Sequence, residues 1–264
     1  MSDVPGATIV TGAGGAGCGR AIACRAASRT GSPVIASDIN DEGGEETVRE
    51  IRDHGGEAVF YHADVRDASQ VRQLVAFAEA RYGRVAMLVN NASSPEPLRE
   101  GVGGWTEAIQ TDLMGTLFAT QFGVEAMRRS GGGSIVNISS ISALWHGRRT
   151  PGGFPGYDVA KAGVIRLTTG LAALATSDRI RVNCFAPGWI GTGGALAYWQ
   201  TLTPAERLAR GVPAKLLPPD EVADIVLRIA SDGSLHGRVV LWWSEKEPRL
   251  IEQGDRGYRA GVVY

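Results

Sequence analysis

The chain has 264 residues, enough for one large α/β core, and its 27 basic and 28 acidic residues leave a formal net charge of −1 at pH 7. That balance, with no basic run interleaved with aromatics, excludes an electrostatic nucleic-acid binder. Apolar stretches are strand-sized, residues 1–6 have neither a charged nor an apolar leader pattern, and Cys18, Cys24 and Cys184 form an odd set with no metal spacing, so a cytoplasmic protein with reduced thiols, no metal and no membrane contact is expected.

The first predicted strand, Ala7 to Thr11, runs into Thr11-Gly12-Ala13-Gly14-Gly15-Ala16-Gly17-Cys18-Gly19, and an alanine-rich helix follows. A strand, a glycine turn and a helix N-terminus form a phosphate cradle: glycine lets the backbone approach a pyrophosphate, and the free amides and dipole of the helix attract its charge. Gly12, Gly17 and Gly19 are therefore candidate cofactor-binding residues. The second strand, Pro33 to Ser37, is closed by Asp38, nineteen residues after Gly19. There a carboxylate accepts hydrogen bonds from ribose hydroxyls and repels a 2′-phosphate. Ile39 and Asn40 offer no guanidinium, so NAD is favoured over NADP. After the third strand, Ala58 to Tyr61, come Asp64 and Val65, placed to meet an adenine edge.

The fourth strand, Met87 to Asn90, leads to Asn91 and Ala92, and helical spacing resumes from Trp105 to Met127 around Asp112. The fifth, Ser134 to Ile138, ends at Ser139 and Ser140. Tyr157 and Lys161 then sit one helical turn apart, and Lys161 is one of only three lysines in the chain. An ammonium four residues after a phenol projects from the same helix face, where its charge lowers the tyrosine pKa. The sixth strand, Arg181 to Phe185, precedes Pro187, Gly188 and Thr192. Residues 193–219, rich in glycine, proline and aromatics with one short helical period near Glu206 to Arg210, read as a mobile lid. A helix from Asp220 to Ala230, capped by Asp220, and a last strand, Arg238 to Trp242, follow. The tail, 244–264, has no clear period and is expected against a neighbouring subunit. Continuous apolar strands alternating with helices imply right-handed crossovers and a doubly wound parallel sheet with helices on both faces, in a single domain.

In the order of these signals the chain resembles the short-chain dehydrogenase/reductase family: the glycine turn, Asp64, Asn90-Asn91-Ala92, Ser140, Tyr157 with Lys161, and Pro187 to Thr192. The resemblance implies a seven-stranded Rossmann sheet, a nicotinamide cofactor, a dimer or tetramer, and hydride exchange between an alcohol and a carbonyl. It implies Tyr157 as acid/base, with Lys161 lowering its pKa and holding the nicotinamide ribose. Ser140, in preference to Ser139, would orient the substrate oxygen. Thr192 would hold the carboxamide, and Asn91 and Ala92 would line the cofactor.

The chain also departs from that pattern. The glycine turn has gained one residue, and Ser93 stands where glycine is common. Asp112 stands where asparagine is usual; its negative charge near Lys161 is expected to raise the lysine and tyrosine pKa values, and it is a candidate proton-relay residue. An insertion between Ser140 and Tyr157 carries His146, Arg148 and Arg149, which suit a substrate carboxylate or phosphate. Trp189, Tyr198 and Trp199 suit an apolar cover over a bulky substrate. The expected activity is NAD-dependent oxidation of an alcohol or reduction of a carbonyl. The alternatives are a 3-oxoacyl thioester reductase, which Asp38 disfavours, and an NAD-sensing or scaffold protein with weak turnover.

Overall fold

The computed structural model describes residues 6–94, 102–144, 153–244 and 246–252, without the side chain of Val102. One sheet of eight strands organises them: β1 (Ala7–Thr11), β2 (Val34–Asp38), β3 (Ala58–His62), β4 (Val85–Asn90), β5 (Gly133–Ile138), β6 (Ile180–Pro187), β7 (Val239–Trp242) and β8 (Arg249–Leu250). Their order is β3-β2-β1-β4-β5-β6-β7-β8, parallel except for β8. The expected seven parallel strands thus gain an antiparallel edge. β8 pairs through its backbone, Val240 with Leu250 and Leu241 with Arg249, and a two-residue strand is too short to carry a side-chain period.

The helices are α1 (Cys18–Thr30), α2 (Asp41–Asp53), α3 (Ala68–Tyr82), α4 (Val102–Ala108), α5 (Thr116–Ser130), α6 (Pro155–Gly170), α7 (Leu174–Ser177), α8 (Gly193–Gln200), α9 (Pro204–Arg210) and α10 (Pro219–Ser231). Successive strand side chains point to opposite faces. Val10, Ala36, Val89 and Val136 pack with Ile22 and Ala26 of α1, Val48 and Ile51 of α2, and Val222, Val226 and Ile229 of α10. Their neighbours Ile9, Ile35, Leu88 and Ile135 pack on the other side with Leu74 of α3 and Ala119 and Met127 of α5. Burial on both faces is why these strands read as unbroken apolar runs.

Three local expectations need revision. The helix read as continuous from Trp105 to Met127 is α4, a π-helical segment (Ile109–Gly115) and α5. Asp220 is not the cap of α10: Pro218 takes that position and Pro219 starts the helix, where its fixed φ costs nothing and its missing N–H is not needed. Asp220 instead lies in the first turn, where its charge suits the helix dipole. Finally, residues 193–219 hold two helices. α9 is closed by a capping box between Thr203 and Glu206, and buried Leu217 bridges to Ile190.

Asp38, Asp64, Asn91, Ser140 and Gly188 all lie at or just beyond the carboxyl ends of parallel strands. β1 lies between β2 and β4, the point at which the strand order reverses and a crevice opens in doubly wound sheets.

Candidate active site

The glycine turn is held from two sides. Gly12 has φ +69°, and a side chain there would come within 2.7 Å of the Ala92 backbone. The Asn91 amide group donates to the carbonyls of Thr11 (3.0 Å) and Gly12 (3.1 Å), while the Asn91 and Ala92 N–H groups donate to Thr11 Oγ1 (3.1 and 3.2 Å). On the other side, α2 carries the enlarged part of the turn. Thr47 Oγ1 donates to the Ala13 carbonyl (2.6 Å), and the Gly14 carbonyl lies against Gly43, where any side chain would collide with it.

These residues fit a phosphate-bearing cofactor. Gly17 caps α1 without a side-chain acceptor, and the first turn of α1 has no acidic residue, so its N-terminal amides carry no side-chain cap. Gly15 faces open space, and Thr192 Cβ lies 3.9 Å from where a Gly17 side chain would begin. The turn and Thr192 are thus brought together. Thr192 caps α8, Pro187 ends β6, and Gly188 donates to the Trp242 carbonyl (2.8 Å).

Asp38 ends β2 with both carboxylate oxygens engaged by backbone: Oδ2 accepts from Gly14 N–H (2.7 Å) and Oδ1 from Asn40 N–H (2.9 Å). It is not the cap of α2, a role taken by Asn40, whose side chain accepts from Gly43 N–H. Asp64 is gripped by its own neighbour. Arg66 Nε and Nη2 donate to its carboxylate at 2.6–3.0 Å, and that hydrogen bonding holds Asp64 below the usual carboxylate range. Val65 is buried against Gly115 of the π-helical segment.

α6 presents the acid/base pair. The Lys161 ammonium sits 5.4 Å from the centre of the Tyr157 ring, and the Phe154 ring stacks on that tyrosine at 5.8 Å. Lys161 is 3% exposed and donates to the Ile138 carbonyl (3.1 Å) and to Asp112 Oδ1 (2.9 Å). The two candidate serines separate clearly. Ser139 is buried, its hydroxyl donating to the Lys161 carbonyl at 2.8 Å, whereas Ser140 is partly exposed, accepts from Ser142 N–H at 3.2 Å and acts on the Tyr157 phenol to lower its pKa.

Asp112 is fully buried in the π-helical segment, whose wider turn is a common device at functional sites. Besides Lys161, its carboxylate accepts from the Ser93 hydroxyl, from Ser94 N–H (3.3 Å) and from the Ser94 hydroxyl (3.2 Å). The electrostatics follow the expectation for aspartate here. Burial raises the Tyr157 pKa and Asp112 raises it further, against the lowering effects of Lys161 and the Ser140 hydrogen bond. For Lys161, burial alone would lower the pKa, but the charges of Asp112 and Tyr157 outweigh it and the net shift is upward.

His146, Arg148 and Arg149 lie outside the described residues. Trp189 and Tyr198 pair at 6.1 Å, but Trp199 is packed down, its indole N–H on the Pro213 carbonyl and the Arg207 guanidinium 3.3 Å from its ring centre. Ser94, Gly43 and Thr47 were not foreseen; adjacent hydroxyls after Asn-Asn-Ala and paired glycines at a helix start were the available signals. Among the described residues no metal-holding cluster occurs and no helix is long and apolar enough to cross a membrane.

Comparison with known proteins agrees with this geometry. The short chain dehydrogenase family model matches residues 7–202. The cis-4-hydroxycyclohexanecarboxylate dehydrogenase of Sinomonas cyclohexanicum is 35% identical over 230 residues, 86% of this chain and 89% of that protein. The 3-oxoacyl-[acyl-carrier-protein] reductase FabG of Thermotoga maritima is 34% identical over 242 residues, 88% of this chain and 94% of that protein. A crystal structure of an actinorhodin polyketide ketoreductase variant with NADPH superposes with a TM-score of 0.79 at 28% identity, covering 92% of this chain and 98% of that one. With a Rossmann-like sheet, a glycine turn at its switch point and an ordered Ser140, Tyr157 and Lys161, the chain belongs to the short-chain dehydrogenase/reductase family of oxidoreductases, whose members bind nicotinamide cofactors.

Proposed function

We propose that the protein is an NAD-dependent alcohol dehydrogenase or carbonyl reductase acting on a small or medium, partly apolar hydroxy or oxo compound. The observation that carries this reading is the half-buried Tyr157 phenol, with the Lys161 ammonium 5.4 Å from its ring centre and Ser140 acting to lower its pKa. A bound nicotinamide supplies or accepts the hydride. In reduction the Tyr157 phenol gives its proton to the substrate oxygen; in oxidation the phenolate takes the alcohol proton. Ser140 hydrogen-bonds that oxygen and places it beside the phenol. Lys161 stabilises the phenolate and would hold the nicotinamide ribose, while Asp112 holds Lys161 in place and stands next to it as a proton relay.

The residues assigned to the cofactor are Gly12, Gly17 and Gly19 for the pyrophosphate, Asp38 for the ribose hydroxyls, and Asp64 and Val65 for the adenine edge. Asn91, Ala92, Pro187, Gly188 and Thr192 line the nicotinamide side. NAD is favoured because the carboxylate of Asp38 is fixed at the end of β2 and the nearby guanidiniums are committed elsewhere: Arg20 to Glu46 (2.8 Å) and Arg66 to Asp64 (2.6 Å). This weighs against a 3-oxoacyl thioester reductase of the NADPH type, although relatives with that name and with NADPH exist. The protein is on this reading a cytoplasmic, single-domain homodimer or homotetramer, with residues 193–219 covering the substrate; of the tail, β8 belongs to the chain's own sheet, and the part beyond it packs on a neighbouring subunit.

Fluorescence titration with NADH and NADPH tests the cofactor; preference for NADPH sinks that assignment. A panel of ketones, hydroxy acids and acyl thioesters tests turnover, with Tyr157→Phe expected to lose about 10²- to 10⁴-fold while still binding NADH. Undiminished turnover in that variant would remove Tyr157 as acid/base, and tight NADH binding with no turnover on any substrate would favour a sensor.

A further inference from the structure

Asp112 is a carboxylate with no exposure to water, and burial of such a group is costly unless every lone pair is met. Lys161 meets one of roughly four acceptor positions. The others are met by two consecutive residues at the mouth of β4: the Ser93 hydroxyl on Oδ1, and the Ser94 N–H and hydroxyl on Oδ2 at 3.3 and 3.2 Å. These serines continue directly from Asn91 and Ala92, which are tied to Thr11 and Gly12. Lys161 in turn has one donor on Asp112, a second on the Ile138 carbonyl at 3.1 Å, and its third left for the Tyr157 side.

We propose that Ser93 and Ser94 are positioning residues of the site: by saturating the Asp112 carboxylate they fix the aspartate, and through it the Lys161 ammonium, beside the Tyr157 ring. The assignment rests on the reading of Tyr157 as the acid/base, which it deepens by naming what holds its lysine. The serine at 93 and the aspartate at 112 are then one device, because a buried carboxylate there needs the hydroxyl that a glycine lacks. Both serines work electrostatically as well as mechanically. Their hydroxyl and amide dipoles point at Asp112 and offset part of its charge, so less of that charge bears on Tyr157. Among the described residues the other charged or titratable groups near the pair are Asp158, whose charge also raises the tyrosine pKa, and Cys184 beside Lys161.

Ultraviolet difference titration of the phenolate, without cofactor and with the Tyr157→Phe trace subtracted, reads the Tyr157 midpoint directly. Asp112→Asn should lower it. The double substitution Ser93→Ala with Ser94→Ala should raise it by about half a pH unit or more, and Ser93→Thr with Ser94 retained should return it to the parent value. In the Asp112→Asn background the serine substitutions should have no effect, because no carboxylate remains for them to offset. Should the double variant not melt cooperatively, Ser94→Ala alone, which keeps the backbone amide bond, is read in its place. Midpoints that ignore the serines, or that move equally with and without the carboxylate, overturn the proposal. The titration needs no turnover, so its outcome is separate from that of the Tyr157→Phe assay.

Discussion

Gly43→Ala probes how α2 carries the enlarged glycine turn. An alanine Cβ would fall on the Gly14 carbonyl oxygen and 2.8 Å from Asn40 Nδ2. The oxygen is backbone and cannot swing aside, so the turn or α2 must shift. Helix propensity favours alanine by at most about 1 kcal/mol. Against that stands overpacking at about 1–3 kcal/mol. Weakening the 2.7 Å bond from Gly14 N–H to Asp38 adds to the loss, since a hydrogen bond to a charged group contributes about 1.5–3 kcal/mol. The clash wins, with a net loss of about 2 kcal/mol and a Tm lower by roughly 4–8 °C. Calorimetry measures the first effect. NADH titration measures the second, expected as about tenfold weaker binding once Asp38 loses its amide partner. Gly170→Ala, where an added Cβ meets nothing within 4 Å, is the control and should melt at or slightly above the parent. A Gly43→Ala protein that melts no lower than the parent and binds NADH equally would refute the packing of this turn on α2.

Lys161→Met leaves Asp112 buried without its cation and should cost about 3–5 kcal/mol, seen as a large fall in Tm; a melt unchanged from the parent would show that the ion pair contributes little. Tyr157 and Lys161 both have pKa values raised in the folded state, so their contribution to stability is complete below their unfolded values of about 10 and is lost as pH rises through the folded ones. Alkaline denaturation should therefore be shallower above about pH 10 in Asp112→Asn, where the upward push on both groups is reduced. The raised phenol pKa also means that oxidation, which uses the phenolate, should speed up steadily toward alkaline pH while reduction stays level through neutrality; an oxidation rate that peaks below pH 7 would contradict this. Burial pushes the thiols of Cys18 and Cys184 up to about 12, and burial with the neighbouring Glu50 does the same for Cys24. All three should resist alkylation at neutral pH in the folded protein and react readily in denaturant, as followed by mass spectrometry.

Much of the fold was legible because the sheet is covered on both faces, which leaves each inner strand an unbroken apolar run, and because Gly12 and the glycines after it are required where backbone meets backbone. The boundaries moved by a residue or two: β2 runs on to Asp38, and β6 to Pro187. The π-helical segment was invisible, since it is a change in backbone hydrogen bonding that no residue type marks. The site was legible in part for the same kind of reason. Tyr157 and Lys161 are neighbours along one helix, so their spacing alone places them together. The partners of Asp112 were not, because Ser93 and Ser94 reach it from another element, eighteen or nineteen residues away in sequence.

The sequence by itself determined what depends on local geometry: the alternation of strands and helices, the uncapped helix end after the glycine turn, the carboxylate closing β2, and the phenol and ammonium on one helix face. Tertiary structure alone decided how charges are shared. It put the Gly14 amide on Asp38, tied the Ser139 hydroxyl to the Lys161 carbonyl, and closed the Asp112 carboxylate with Ser93 and Ser94 beside Lys161. Electrostatic energies depend on distance and burial, and both are set by which segments pack together rather than by any one segment.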